Sequence, residues 1–97
     1  MSKCTEFAVF YVASENVNRA IELSYLIFSE MNELLEVISY SNVLVKTDNP
    51  EEICWHLEWV NELVATTTTQ NWPNFNSTAE FQSLVKKGVY GHFLDAI

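Results

Sequence analysis

Three side chains that could act on a ligand or hold a metal occur at alternate positions of one short segment: Cys54, His56 and Glu58. Together they could form a Cys-His nucleophile pair or a set of zinc ligands. On an extended strand, alternate side chains are about 6.5 to 7 Å apart, whereas zinc ligands all lie within roughly 2.0 to 2.3 Å of the ion. The three therefore do not converge, and no further residue is evident that would orient a Cys-His pair. The sequence predicts no metal site here.

Two further side chains could move protons, His92 near the C-terminus and Tyr11 near the N-terminus. A histidine titrates near neutral pH, although in a half-buried strand it is more often a hydrogen-bonded structural residue than a proton shuttle. The catalytic residue is therefore left unknown, with His92 and Tyr11 as candidates. The glycines are Gly88 and Gly91, so the sequence has no Gly-rich phosphate loop. No cofactor is predicted.

The composition is that of a globular domain with an acidic surface. The 97 residues are 48% hydrophobic and 13% aromatic, with a formal net charge of −8, and a chain of this length is expected to form one domain, residues 1–97. The negative charge argues against binding to nucleic acid or to anionic membranes. Cys4 and Cys54 fit free thiols in a reducing compartment, and no segment reads as a membrane span or signal peptide. The expected location is cytoplasmic.

The segment 53–60, which reads Ile-Cys-Trp-His-Leu-Glu-Trp-Val, decides the fold, and its pattern fits two structures. Apolar and polar residues alternate strictly over seven positions, which is typical of a strand. Ile53, Leu57 and Val60 also recur at helical spacing, and Pro50 is well placed to begin a helix. A preceding strand needs an antiparallel neighbour, and a short Asp-Asn-Pro turn would join the two. This favours the strand.

The other elements follow from their apolar periodicity and their end signals. The first helix is expected to have Ser14 as its N-cap, the second to end at the run of threonines 66–69, and the third to carry Lys86 and Lys87 in its last turn. The predicted strands are 7–12, 37–46, 53–59 and 89–97, and the predicted helices are 15–35, 60–67 and 77–88.

This order of elements predicts an α+β, ferredoxin-like fold, a βαββα(α)β sandwich. Right-handed crossovers give a four-stranded antiparallel sheet with its helices on one face, and the first and third strands lie side by side at its centre. The first strand is apolar on both faces, so the uncovered face would leave large side chains in water at a cost of roughly 1.5 to 3 kcal/mol each. A homodimer that packs sheet against sheet is therefore expected.

The chain also resembles the dimeric α+β barrel proteins and, among them, the antibiotic biosynthesis monooxygenase-like family. The resemblance is carried by the opening strand 7–12, by the turn Asp-Asn-Pro-Glu at 48–51, and by a strand that ends in Trp59 before a helix opening with Asn61 and Glu62. It implies a sheet-mediated dimer with a cavity between sheet and helices in each subunit. Trp59 would bound that cavity, and Trp55 lies on the same face of the strand.

Members of this family are diverse in function. Some oxidise aromatic, quinone-like substrates with molecular oxygen and without metal or flavin, and some degrade haem. The oxygenases pair their tryptophan with an asparagine and a tyrosine, and this chain has Trp55 and Ala65 or its neighbours in those places. The resemblance implies a small homodimer that binds a planar apolar molecule and assists its cofactor-independent oxidation. The alternative is a non-catalytic ligand-binding or protein-interaction module, with Trp55 filling the pocket.

Overall fold

The computed structural model describes residues 3–96, which form one antiparallel sheet and three α-helices. The short turns Ser14–Asn16 and Trp72–Asn74 are 3-10 helical. The elements in chain order are β1 Cys4–Val12, α1 Val17–Met31, β2 Ile38–Lys46, β3 Asn49–Trp59, α2 Glu62–Gln70, α3 Thr78–Leu84 and β4 Val85–Phe93.

The sheet has the strand order β2-β3-β1-β4, with every neighbouring pair antiparallel. The first and third strands are central, and the α+β, ferredoxin-like prediction is confirmed. Ala8 in β1 lies opposite Trp55 in β3 and Tyr90 in β4. Because directly opposite residues in antiparallel strands point to the same face, these pairings fix which side chains meet the helices.

Residues 53–59, whose pattern fits both a strand and a helix, form a strand, as predicted. Along β3 the residues Ile53, Trp55, Leu57 and Trp59 are buried, and the intervening residues are half-buried. If these residues formed a helix, β1 and β2 would each lose the strand with which they pair. The strand instead pairs with β1 on one side and β2 on the other, which satisfies its backbone hydrogen bonds.

The predicted first helix, 15–35, is too long at both ends. Ser14 belongs to the 3-10 turn and does not cap α1. After Met31 the side chain of Asn32 accepts hydrogen bonds from the N–H groups of Val37 and Ile38, at 2.8 and 2.9 Å. These bonds replace helical ones and direct the chain into β2. Leu34, which extends the apolar periodicity, is 99% exposed.

The second helix was predicted too short. The side chain of Asn61 accepts a hydrogen bond from the N–H of Val64 at 2.8 Å and begins α2, which then continues through the threonines 66–69 to Gln70. Threonine costs only a few tenths of a kcal/mol in a helix. The helix continues because its N-cap and the packing of Ala65 and Val64 against the core offset part of that cost.

The third helix ends earlier than predicted, so Lys86 and Lys87 lie in β4 and not in a last helical turn. Residues 85–88 pair with β1, and this ladder of backbone hydrogen bonds takes the place of another helical turn. The strand predicted over 89–97 ends at Phe93, and Ile97 lies outside the described residues.

The core lies between the helices and one face of the sheet. α1 contributes Leu23, Ile27 and Phe28 to it, and α3 contributes Phe81. Within residues 3–96, none of the helices is both long and apolar enough to cross a bilayer.

Candidate functional site

A cleft of about 570 Å³ opens between the helix-facing side of the sheet and the segment that runs from the end of α2 to α3. Its floor is formed by β1, β3 and β4, and its walls are mainly aromatic. The lining residues central to its chemistry are Glu6, Phe10, Trp55, Trp59, Trp72 and Phe81.

Trp55 forms the middle of the floor and is held rigidly. Its indole Nε1 donates to the Oγ of Ser24 at 2.9 Å, and that hydroxyl donates to the carbonyl of Ala20 at 2.7 Å. The ring centroids of Phe10 and Phe81 lie 4.9 and 5.2 Å from the centroid of its ring. Because the cleft remains open beside this indole, Trp55 lines the space and does not fill it.

Trp59 bounds one end of the cleft, where β3 finishes. The side chain is 1% exposed, and its Nε1 donates to the Oε1 of Glu6 at 3.0 Å. A buried indole N–H needs a hydrogen-bond partner. That partner is a carboxylate on the neighbouring strand.

Glu6 is the residue at which the polar contacts of the cleft meet. It is 6% exposed, and the Nε2 of His92 lies 2.8 Å from the same Oε1 that Trp59 contacts. Burial raises the pKa of this carboxyl, while the hydrogen bond and charge of His92 and the hydrogen bond of Trp59 oppose the rise. The cleft thus contains a carboxyl group that gains a proton more readily than an ordinary glutamate.

The two oxygens of Glu6 differ. Oε1 is contacted by both Trp59 and His92, whereas Oε2 makes no hydrogen bond with the residues 3–96 that the structure describes. Within that same range every fully buried side-chain oxygen has a partner, so Oε2 is accessible. Glu6 lines the cleft, and Oε2 is its oxygen without a hydrogen bond to residues 3–96.

The structure brings His92 against Glu6, which lines the cleft, and leaves Tyr11 on the other side of the sheet. His92 lies opposite Glu6 in the β1-β4 ladder and therefore shares its face. Tyr11 lies opposite Lys87 and Glu52 on the outer face of the sheet. His92 thus contacts the carboxylate that lines the cleft, while Tyr11 is not among the lining residues.

Cys54, His56 and Glu58 also lie on the outer face. Each lies opposite an outward-facing residue of β1, and the ring of His56 stacks on Phe7 with centroids 4.8 Å apart. Within the part of the chain that the structure describes, no three His, Cys, Asp or Glu side chains are grouped as metal ligands.

Glu6 was missed by reasoning from the sequence. The available signal was its position, an acidic residue between Cys4 and Ala8 on the inward-facing side of β1. A buried carboxylate in such a place needs donors, and these come from residues far along the chain, Trp59 and His92.

No family model and no curated relative matches the chain. Solved structures do match its fold. SnoaB, a cofactor-independent oxygenase from Streptomyces nogalater, aligns with a TM-score of 0.74 at 11% identity over 100% of this chain and 96% of that chain. An antibiotic biosynthesis monooxygenase aligns with a TM-score of 0.68 at 12% identity over 97% and 98%.

This chain has the fold of the antibiotic biosynthesis monooxygenase-like proteins. A conserved protein from Methanosarcina mazei has it as well, with a TM-score of 0.74 at 17% identity over 96% of this chain and 92% of that chain. The resemblance seen in the sequence is therefore confirmed for the fold. Because the identities are so low, the activity has to be argued from the cleft.

Proposed function

We propose that the cleft binds a planar, mostly apolar molecule beside Trp55 and Trp59 and assists its oxidation by molecular oxygen, without metal or flavin. The observation that carries this proposal is the aromatic cleft of about 570 Å³ with the carboxylate of Glu6 at one end. Ligand cavities typically have volumes of roughly 300 to 1,000 Å³, apolar walls and a few polar groups that orient the ligand.

The cleft suits a fused-ring molecule. Glu6 and Phe10 are four residues apart on one face of β1, which places them about 13 Å from each other. The ring of Trp55 lies on the neighbouring strand between them. A flat ligand would stack on these rings and place a polar edge at Glu6.

The proposed reaction balances without a cofactor. A CH2 group of the substrate loses a proton to a base in the cleft, and the electron pair left on carbon reduces O2 and forms a C–O bond. Loss of the second C–H proton then breaks the O–O bond, leaving a carbonyl on the substrate and releasing water. The protein supplies orientation, exclusion of water and the proton acceptor.

Support for the oxidation comes from the fold that this chain shares with SnoaB, which is described as a cofactor-independent oxygenase. The proton-handling group that the cleft offers is His92 together with Glu6. Ala65 or its neighbours in α2 stand where those oxygenases have a tyrosine, so the base of this chain would have to come from the sheet.

Binding is tested by quenching of tryptophan fluorescence with anthraquinone. Saturable quenching is expected for the native protein. Ala8→Met, which extends a side chain from the floor into the cleft, should weaken it, whereas Ala79→Met on the exposed surface of α3 should not. Equal quenching of both variants would refute the proposed location.

Oxidation is tested with 2-tetralone, a ketone fused to a flat benzene ring and carrying an acidic benzylic CH2 group. Oxygen uptake above the uncatalysed rate is expected, with one O2 consumed for each diketone formed. Anthraquinone binding without any oxygen uptake would overturn the oxidation and favour the non-catalytic binding module.

We also propose that the protein is a homodimer through the outer face of its sheet. Phe7 is 42% exposed there and Val89 is 59% exposed, and Phe7 stacks on His56 to extend the apolar surface across β1 and β3. Exposed contiguous apolar surface of this kind marks an interface. A second copy would cover it by two-fold symmetry.

The dimer is tested by light scattering. The native protein should have twice the 11.2 kDa chain mass at micromolar concentration. Val89→Glu should lower the mass to one chain, because it would bury unpaired charges in the interface. Leu35→Glu, at a leucine that is 68% exposed and lies away from the sheet, is the matched control. A native mass of one chain would refute the dimer.

A further inference from the structure

We infer that Glu6 is the general base of the cleft, that its Oε2 removes a proton from an enolisable planar ketone, and that Trp59 and His92 are positioning residues. This inference rests on the proposed binding function and specifies its chemistry. It concerns a residue that neither the sequence pattern nor the shared fold assigns.

The first argument is the geometry of the carboxylate. Trp59 and His92 hold Oε1 at 3.0 and 2.8 Å from two directions, so the side chain has little freedom to turn. Oε2 is left accessible at the end of an apolar cleft. A base must lie within hydrogen-bond reach of the proton that it accepts, and Oε2 is placed to meet that condition for a ligand stacked on Trp55.

The second argument is the environment of the charge. Burial raises the pKa of Glu6, which makes its ionised form a stronger base than an exposed glutamate. His92 and Trp59 oppose this rise in the pKa of Glu6, because their contacts with Oε1 favour the ionised carboxylate. An acid-base group is most effective when its pKa lies near the working pH.

The third argument is that the structural role of Glu6 uses one of its two oxygens. Glu6 lies opposite His92 and Leu57 in the sheet, and its Oε1 accepts the hydrogen bond of the buried Trp59 Nε1, a role that a neutral acceptor would also fill. Burying a carboxylate costs several kcal/mol unless it is well paired. A charged carboxylate with Oε2 outside these contacts, on a residue that lines the cleft, is explained by chemistry at Oε2.

The step is a proton transfer. The C–H bond next to the ketone breaks, its proton goes to Oε2 of Glu6, and its electron pair forms the enolate. The reverse transfer returns a proton to carbon. In D2O the returned particle is a deuteron, so turnover appears as exchange of the carbon-bound hydrogen without net reaction.

The test is exchange of the C1 hydrogens of 2-tetralone in D2O under nitrogen, followed by proton NMR. Exclusion of oxygen separates this step from the oxidation. The native protein should accelerate the exchange above the buffer rate, and Glu6→Gln should lower the acceleration by about 100-fold or more. Glu36→Gln, at an exposed carboxylate on the loop before β2, is the matched control and should keep the native rate.

Glu6→Asp tests the position of the carboxylate. It retains the base but withdraws it by one methylene, so partial recovery relative to Glu6→Gln is expected. If Glu6→Gln fails to fold, as judged by near-ultraviolet circular dichroism, the comparison of Glu6→Asp with the native protein still decides the matter. A native exchange rate in folded Glu6→Gln or Glu6→Asp would overturn the inference.

His92→Gln tests the positioning role through the pH profile. Glutamine keeps an N–H donor but loses the charge of the imidazolium, and that charge lowers the pKa of Glu6. The low-pH limb of the exchange profile should therefore move to higher pH. The other titratable groups near the carboxylate are Cys4 on β1 and Tyr90 on β4, with Glu62 at the start of α2. The α2 residues that line the cleft, Thr69 and Gln70, are uncharged.

The possible failures are distinguishable. If anthraquinone is bound but 2-tetralone does not exchange, Glu6 is not a base although the binding function stands. If anthraquinone is not bound, the proposed function itself fails. An unmoved pH limb in His92→Gln would show that His92 is only structural.

Discussion

Trp59→Phe tests the contact that joins the tryptophan to the carboxylate. The indole Nε1 donates to the buried Oε1 of Glu6 at 3.0 Å, and a net contribution of about 1.5 to 3 kcal/mol is typical for a hydrogen bond to a charged group. The smaller ring also leaves about 40 Å³ empty, which costs about 1 kcal/mol. The free energy of unfolding should therefore fall by about 2.5 to 4 kcal/mol.

The hydrogen-bond contribution is separated from the cavity by a double-mutant cycle with Glu6→Gln. If Nε1 donates to a charged carboxylate, the two substitutions should be non-additive by about 1 to 3 kcal/mol. The assay is urea unfolding at one fixed protein concentration, because the proposed dimer would make stability depend on concentration. Trp72→Phe removes the same atoms from a half-buried indole and serves as the control.

A coupling energy within about 0.3 kcal/mol of zero would refute the reasoning. It would mean that the charge of Glu6 adds nothing to its contact with Trp59. The coupling should also shrink at acidic pH, where protonation of Glu6 turns the contact into a neutral hydrogen bond. A coupling unaffected by pH would contradict the assignment of charge to this carboxylate.

Three further predictions concern single residues. Burial raises the pKa of Glu6, so the stability that it contributes is present below the unfolded pKa and is lost as pH rises through the native pKa. Glu6→Gln should flatten this decline in urea unfolding from acid to neutral pH, and parallel curves would contradict it. Gly88→Ala places a Cβ 2.9 Å from the ring of Phe10, so the ring must shift into the cleft and anthraquinone binding should weaken several-fold in fluorescence titrations. Asn61→Ala removes the cap of α2 and should cost about 1 kcal/mol in urea unfolding, while Asn61→Ser should retain most of it.

The fold was predictable because its strands carry strong local patterns. The alternation over Ile53 to Trp59 matches a strand with one face in the core, and the observed burial follows it residue by residue. Element ends were less predictable, because they depend on partners far along the chain. Lys86 and Lys87 suit a helix end, yet β1 offers residues 85–88 a ladder of hydrogen bonds, and local sequence does not contain that information.

The candidate site was only partly predictable for the same reason. Trp55 and Trp59 were identified from alternation and from the family resemblance, and both line the cleft. Glu6 was not identified, because the sequence does not distinguish a buried acidic residue in a strand from a solvent-facing acidic residue until the strand register is known. The register places it between Trp59 and His92, residues more than fifty positions away.

The cleft exists because the sheet residues that form its floor have side chains of different sizes. Ala8 lies between the larger Glu6 and Phe10 on β1, and Gly88 lies opposite Phe10 on β4. Large residues at these two small positions would extend into the space that the cleft occupies, and the sheet and helices would pack together as an ordinary core. Such packing would also bury Oε2 of Glu6 without a partner, at a cost of several kcal/mol. The small side chains and the accessible carboxylate therefore depend on each other, as expected for a cavity that admits a polar ligand edge.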